Sequence, residues 1–469
     1  MSIPKEILAA IGMPERLDTP LGRFAFHDGL PAQDGVDGLF DALDLVRAVE
    51  AFLVAMPGAS LAAMRTGLRS VGVTSARQIG VTQPRSNSSS LYLTPDTDTT
   101  YGHTFLDLDT DGPTVVEVPQ NSLCVVDDFW FRHVTDLGLA GPDQGRGGKY
   151  LFLPPDHEDE VPDGYFTFRS PTFTNWAVFR SLDGVDAVQS VRVYPLAHAA
   201  YPPPNEFVDL ADRPHNTVHA NDATFYDEVD VVVQEEPLDS LDPERRGILA
   251  SIGLVKGDVF APDQRLRAIL GKAAPLGAGI ARALAFRPRD PEAYHYPDSS
   301  WKRVFVGGSH EFLREGARLL DARAMFHYLA TVVTPAMAAS PVGTGAAYAY
   351  TAEDADGRWL DGGRSYRLHL PRHIPAKTSW SVCGYDCQTR SLLVTDTPYP
   401  SVTSLSGTVE ANADGTTDVH FGPTPPPGRE SNWIQTVPGK HWFTMLRLHG
   451  PLQPWYDQTW RPGEIERTG

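Results

Sequence analysis

Thr104-Phe105-Leu106-Asp107-Leu108, Asp109-Thr110-Asp111-Gly112-Pro113 and Thr114-Val115-Val116-Glu117-Val118 together decide the fold class. Apolar and polar residues alternate in the first and third segments. Period-two alternation sends successive side chains to opposite faces of a strand. The Asp, Gly and Pro between them have turn chemistry. Reading outward, Ser89–Leu93, Ser122–Val126, Tyr150–Leu153, Tyr165–Ser170 and Trp176–Arg180 follow as further short strands. Short strands at this spacing predict a β-sandwich or related barrel over residues 76–200.

On the N-terminal side the pattern changes. Residues 1–29 read as an extended lead-in. Leu39, Phe40, Leu43, Val46, Val49, Phe52 and Leu53 then recur at helical spacing. Pro57-Gly58 is the expected stop, with a second short helix over Ser60–Val71. Residues 1–75 are therefore assigned to a helical lead-in. On the C-terminal side, 201–344 read as a mainly helical connection, with helices over Glu244–Ile252, Asp263–Ala285, Glu311–Leu320 and Ala322–Val332. From 345 to 469 strands return. Tyr348–Thr351 and Arg364–Leu370 flank a loop with hairpin grammar. Thr378–Tyr385, Leu392–Thr395, Ser406–Glu410, Thr417–Phe421 and Trp442–His449 follow. The expected class is α+β, mainly β: two sandwich- or jelly-roll-like domains joined by a helical region.

The 469 residues carry a formal charge of −19, which disfavours nucleic acid and anionic membrane as partners. Three cysteines, Cys124, Cys383 and Cys387, are too few for a disulfide scaffold and lack zinc-site spacing. No long apolar run follows Met1-Ser2-Ile3, so neither a signal peptide nor a membrane span is expected, and a cytoplasmic location follows.

Chemistry concentrates in Thr94–Pro155. In an extended segment Asp96 and Asp98 share a face, and neighbouring carboxylates drive their pKa values apart. That suits acid–base work or a divalent cation, although Asp and Thr here could equally cap backbone N–H groups. Tyr101 and His103 follow closely, His103 as a candidate base. In Asp127–Arg132, alternation puts Asp128, Trp130 and Arg132 on one face. They form either a clamp for a polar aromatic or carboxylate ligand, or an internal ion pair. Gly145-x-Gly147-Gly148-Lys149 lacks phosphate-loop spacing and leads into a strand, so nucleotide binding is not expected. His215 and His219 are four positions apart, which would let both reach one metal if helical.

Asp96-Thr97-Asp98-Thr99-Thr100-Tyr101, the Asp127–Arg132 block and the Gly141–Pro155 block resemble the first domain of a tandem family. Its two parts are domains of unknown function numbered twelve fifty-four and twelve fourteen. Leu360-Asp361-Gly362, Trp380-Ser381-Val382, Tyr385-Asp386, Asn432-Trp433 and Arg447-Leu448 are similar to the second part. The family's usual Asn-x-Asp-Thr-x-Tyr carries Asp96 in place of Asn here. Its Asn-Trp-Leu-Pro reads Asn432-Trp433-Ile434-Gln435. The resemblance implies two β-rich domains with helices between them, often in oligomers.

The expected function is an enzyme acting on a small organic molecule by hydrolase- or lyase-type acid–base chemistry, with no nucleotide cofactor. Asp98, Tyr101 and His103 are the expected catalytic residues. Asp96, Asp128, Trp130, Arg132 and Lys149 are the expected substrate-binding residues. No metal is assigned, although Asp96 and Asp98 could receive a divalent ion. A homo-oligomer, dimer or tetramer, is expected. The rival is a non-catalytic ligand-binding or assembly protein built from the same β domains.

Overall fold

A computed structural model describes residues 4–468 apart from 84, 182 and 212; the first three residues of the expected lead-in and the final glycine lie outside it. The chain is α+β. The alternating segments form strands Gly102–Asp107 and Thr114–Val118, but these do not pair with one another. The turn between them carries the chain from one sheet to another.

Gly102–Asp107 lies in a six-stranded sheet ordered Glu206–Asp209, Gln78–Val81, Gly102–Asp107, Thr174–Phe179, Leu123–Asp128, His133–Gly138. Thr114–Val118 lies in a four-stranded sheet with Phe166–Arg169, Gly148–Leu153 and Arg192–Pro195. The sheets share a core that includes Leu106, Val116, Val126, Tyr150, Phe152, Ala177 and Phe179. Every residue of Thr174–Phe179 is buried, so this strand is covered on both faces. Ala177 and Phe179 face the four-stranded sheet. Trp176 and Val178 face the other way, into a central core with helices.

The C-terminal strands repeat this arrangement. Ala346–Thr351, Trp442–Pro451, Ala376–Asp386 and Ser401–Thr403 form one sheet. Trp433–Gln435, Thr417–Gly422, Tyr366–Leu370 and Ile465–Arg467 form another. Leu368, Val382, Val419, Ile434, Leu446 and Leu448 fill the space between them. The expected hairpin of Tyr348–Thr351 with Arg364–Leu370 is corrected, because its two strands belong to different sheets. Residues 406–410 hold no strand. The outer face of the first sheet sends Tyr350, Cys383, Tyr385, Phe443 and Met445 into the same central core as Trp176. Both β regions and the helices thus meet there, which gives a cavity walls of different origin.

Several helical expectations are corrected. Residues 5–11 form a helix, and Arg16–Thr19, Gly22–His27 and Leu30–Pro31 form a small sheet, so the lead-in is not simply extended. Pro57 does not end the first long helix, which runs unbroken over Val36–Ser70. A proline inside a helix removes one hydrogen bond and costs about 3 kcal/mol. From Ala55 to Arg65 every residue is buried, and that packing outweighs the lost bond. Phe225–Glu235 is a further helix, and Glu311–Leu320 is a hairpin rather than a helix. Glu315 (φ 50°) and Gly316 (φ 80°) are both left-handed, which no right-handed helix allows. Pro243–Ala250 and Gln264–Phe286 form as read, capped by Asp242 and Asp263, whose carboxylates accept the Arg245 and Leu266 N–H groups at 3.0 and 2.7 Å. Gln264–Phe286 is long and apolar enough to cross a bilayer, but half of its most apolar window is buried in the fold.

Candidate functional site

The segment Thr94–Asp98 is pinned from three sides. Thr94 N–H donates to Arg390 O at 2.9 Å, and its hydroxyl donates to Leu329 O at 3.0 Å. Arg447 Nη2 donates to Thr94 O at 2.7 Å, and Tyr385 OH donates to Pro95 O at 2.8 Å. Thr94 is held at φ 42°, a conformation that side chains other than glycine rarely adopt. Asp96 Oδ1 accepts the Asp98 N–H at 3.1 Å. This local turn, rather than extended alternation, brings the two carboxylates together. The capping use of these residues and their convergence are therefore both realised.

His449 completes the group. Its Nε2 lies 3.3 Å from Asp96 Oδ2. Ligand atoms of Asp96, Asp98 and His449 all fall within 4.8 Å of one another. Arg447 and His449 lie two apart on one strand and so share a face. With Met445 they line a cavity whose other walls include Asp96, Tyr101, His103, Trp176, Arg180 and Tyr348. Its enclosed volume is about 90 Å³, small beside the roughly 300–1,000 Å³ of ordinary ligand pockets, so only a small molecule fits without movement of the walls. Residues 330–332 close another side.

The electrostatics separate the two carboxyls. Burial alone would raise the Asp96 carboxyl, which is 4% exposed, but His449, Arg447 and the Asp98 N–H outweigh it and hold it below the usual carboxylate range. Asp98 moves the other way, raised by burial and then by the Asp96 charge. Its Oδ2 accepts from Thr403 at 2.7 Å, while Oδ1 is buried without a hydrogen-bond partner among the described residues. Burial drives the His103 pKa down to about 3, assisted by His215. His103 is therefore neutral, stacked between Trp176 and Tyr101, with Nδ1 buried and unpartnered among the described residues. Burial, then Asp96, raises the Tyr101 phenol. Two carboxyls driven apart, one downward and one upward, beside a neutral imidazole are the elements of acid–base chemistry. Asp96, Asp98 and His449 also have the donor set for a divalent cation. Asp98 Oδ1 has no hydrogen-bond partner among the described residues, while His449 Nε2 faces Asp96 Oδ2 at 3.3 Å.

The other expected binding residues lie elsewhere. Asp128 is buried, accepting the Trp130 and Arg132 N–H groups at 2.9 Å each and Arg132 Nε at 2.6 Å. It is the internal ion pair of the two sequence alternatives. Trp130 donates from Nε1 to Ser240 at 3.0 Å. Trp130 and Arg132 line a second cavity. Lys149 pairs with Glu117 at 3.1 Å on the four-stranded sheet, away from both cavities. The glycines before Lys149 wrap Asp143, whose carboxylate accepts the Gly138 and Gly147 N–H groups at 2.8 Å each. His215 and His219 are not helical: His215 bonds Tyr92 and Ser90, and His219 bonds the Ala220 carbonyl. The sequence reading missed Arg180, Tyr348 and His449. Arg447 entered it only through the family resemblance. Their signal was polar residues spaced by two in strands otherwise apolar.

Buried titratable groups predict a stability maximum near pH 6.5. The His103, His219 and His295 pKa values are each lowered to about 3, with burial the leading cause. Below about pH 6.5 the unfolded chain protonates these rings and the fold does not, so stability falls by up to about 1.4 kcal/mol per pH unit per ring. Burial raises Glu228 to about 8 and Glu236 to about 7. These stay protonated in the fold while the unfolded chain ionises them, so stability also falls as pH rises above the histidine range. Melting temperature followed from pH 5 to 8.5 should peak near 6.5. A curve rising steadily to pH 8.5 would refute the assignment of Glu228 and Glu236.

Two family models match the chain. "Protein of unknown function (DUF1254)" covers residues 77–200 and "Protein of unknown function (DUF1214)" covers 345–453. Among solved structures, the chain is similar to the VPA0106 protein from Vibrio parahaemolyticus. The identity is 18% and the TM-score 0.53, over 91% of this chain and 100% of that one. An uncharacterised protein from Burkholderia cenocepacia matches at 14% identity and TM-score 0.42, over 93% of this chain and 97% of that one. The Vibrio likeness is one of fold. A comparison with curated proteins found no match.

Proposed function

We propose that this chain, which carries the DUF1254 and DUF1214 regions in tandem, is an enzyme that acts on a small organic molecule by acid–base chemistry of the hydrolase or lyase type, without a nucleotide. The observation that carries the proposal is the meeting of both regions at one cavity. Asp96, Tyr101, His103 and Arg180 come from the first, Tyr348, Arg447 and His449 from the second. Asp96, held ionised, is the general base. Asp98, raised by burial and then by the Asp96 charge, lies behind it as the second carboxyl of the pair. His449 fixes the Asp96 carboxylate. Arg180, which has no carboxylate within 4.0 Å among the described residues, faces the oxygen on which charge develops. Trp176, Tyr92 and Tyr101 give the cavity flat apolar walls, which suits a planar unsaturated or aromatic substrate.

A panel of small esters, lactones and hydroxy acids tests this. At least one member should be turned over. Asp96→Asn should reduce kcat by about 10²–10⁴-fold, the usual contribution of a general base, while leaving the circular dichroism unchanged. No turnover across the panel, or a folded Asp96→Asn as active as the parent, would refute the reading.

A second reading has Asp96, Asp98 and His449 holding a divalent cation, and is favoured by the convergence of their ligand atoms within 4.8 Å and by the unpartnered Asp98 Oδ1. Calorimetric titration with Mn²⁺ and Zn²⁺ distinguishes the two, since the acid–base reading requires no stoichiometric binding.

A further inference from the structure

The second cavity lies across the wall from the first. Val332 lines one and Val333 the other. Its empty volume, mouth included, is about 640 Å³. Four arginines line it, Arg132, Arg245, Arg318 and Arg323, together with His133, His310 and His327. This is a concentration of positive charge inside a chain whose formal charge is −19.

Only part of that charge is balanced internally. Arg132 pairs with Asp128 at 2.6 Å, and Arg245 with Asp242 at 3.2 Å. Arg318 Nη1 donates to the Glu311 carbonyl, a neutral acceptor. Among the described residues, neither Arg318 nor Arg323 has a carboxylate within 4.0 Å. The Glu311 side chain, on the lining, is exposed. Arg323 is 7% exposed, fixed on the helix Leu320–Leu329, and its Nε is buried with no hydrogen-bond partner among the described residues. Arg132 Nη2 and His327 Nδ1 are buried and unpartnered in the same way.

Burying an unbalanced guanidinium costs several kcal/mol. Burial and then the neighbouring Arg245 and Arg318 lower the Arg323 pKa to about 10, so at neutral pH it remains charged. Glu50 and Asp242 offset that charge only from beyond 4.0 Å and less than burial and the neighbouring arginines oppose it, so the site has room for a closer counter-charge. The rest of the lining, Glu311 aside, is Val54, Pro57, Trp130, Phe131, Leu241, Phe312 and Val333, apolar but for the Trp130 indole N–H that Ser240 accepts. Phe131 (φ 59°) and Phe312 (φ 55°) are both left-handed. Bulky side chains pay strain energy there, and such strain gathers at ligand sites.

We propose that this second cavity binds an organic oxyanion, a carboxylate or phosphate head on an apolar body, with Arg323 and Arg318 taking the head. Arginine suits that task because its planar fork of donors matches carboxylate and phosphate oxygens. The apolar walls take the body. The site is distinct from the Asp96 cavity and does not rest on the acid–base reading.

Calorimetric titration of the full chain with inorganic phosphate, benzoate and octanoate tests the proposal, at constant ionic strength against chloride. At least one should bind with one-to-one stoichiometry. Phosphate alone binding would identify the head as phosphate, and benzoate or octanoate would identify it as carboxylate. Arg323→Met should weaken that binding at least tenfold. In the absence of ligand, Arg323→Met should melt at a higher temperature than the parent, because a buried unpaired charge has been removed. A merely structural arginine would give the opposite shift. Arg318→Gln is a second variant, expected to weaken binding severalfold should Arg323→Met fail to fold. Asp96→Asn should leave binding unchanged. The proposal is overturned if none of the three anions binds, or if folded Arg323→Met and Arg318→Gln both bind like the parent.

Discussion

Arg447→Ala is expected to lower the unfolding free energy by about 3–5 kcal/mol, the range for removing one member of a buried charged network. Arg447 is 3% exposed. Nη1 donates to Tyr385 OH at 2.5 Å and Nη2 to Thr94 O at 2.7 Å. The same side chain holds the Asp96 charge in the fold. Alanine would strand three polar groups at once and release Thr94 from the left-handed conformation that its carbonyl contact helps maintain. Urea denaturation measures the change. Arg447→Lys keeps the charge but loses the fork, so its loss should be intermediate. A loss below about 1 kcal/mol for alanine, the size of one ordinary hydrogen bond, would mean that water replaces the guanidinium and that the two β regions are not tied together there.

Gly67→Ala should also destabilise, although helix propensity argues for the reverse. Alanine in a helix interior gains about 1 kcal/mol over glycine. A Cβ on Gly67, however, would lie 2.1 Å from Asn216 O, and the obstacle is backbone. The segment it would displace is bridged to Leu91, with Leu91 N–H donating to His215 O and Thr217 N–H to Leu91 O, both at 2.9 Å. Displacement there also moves Tyr92, which lines the first cavity and bonds His215. Overpacking of this kind costs about 1–3 kcal/mol and wins over propensity. Gly271→Ala is the matched control. It sits in a helix with nothing within 4 Å of its would-be Cβ, and should stabilise by up to about 1 kcal/mol. Differential scanning calorimetry of the pair should give shifts of opposite sign. Two shifts of the same sign would show that the Asn216 contact yields freely.

What could be read from the sequence divides along physical lines. Strands such as Thr114–Val118 and Trp442–Pro451 were legible because alternation is a local signal. Their partners were not. Strand pairing depends on long-range register, and the turn at Asp109–Pro113 joins two sheets rather than two paired strands. Pro57 was misread because burial, which nothing local reports, overrides its penalty. Asp96, Asp98, Tyr101 and His103 were legible as a cluster because they fall within eight residues. Arg447 and His449 reach the same place from some 350 residues away. Asp128 and Arg132 could be read as a clamp or as an internal pair, because an ion pair that holds its own strand and one that awaits a ligand have the same spelling.

The cavity between the two β regions bears on inheritance. Its Asp96 carboxylate, its arginine wall and the histidine beside them are encoded in two stretches separated by the helical connection. A descendant keeping only the first stretch would carry Asp96 without Arg447 and His449. One keeping only the second would carry Arg447 and His449 without the Asp96 carboxylate they meet. Neither fragment would contain a whole pocket, so the two stretches can only be passed on usefully as a pair, and in this fold the unit of descent is the junction.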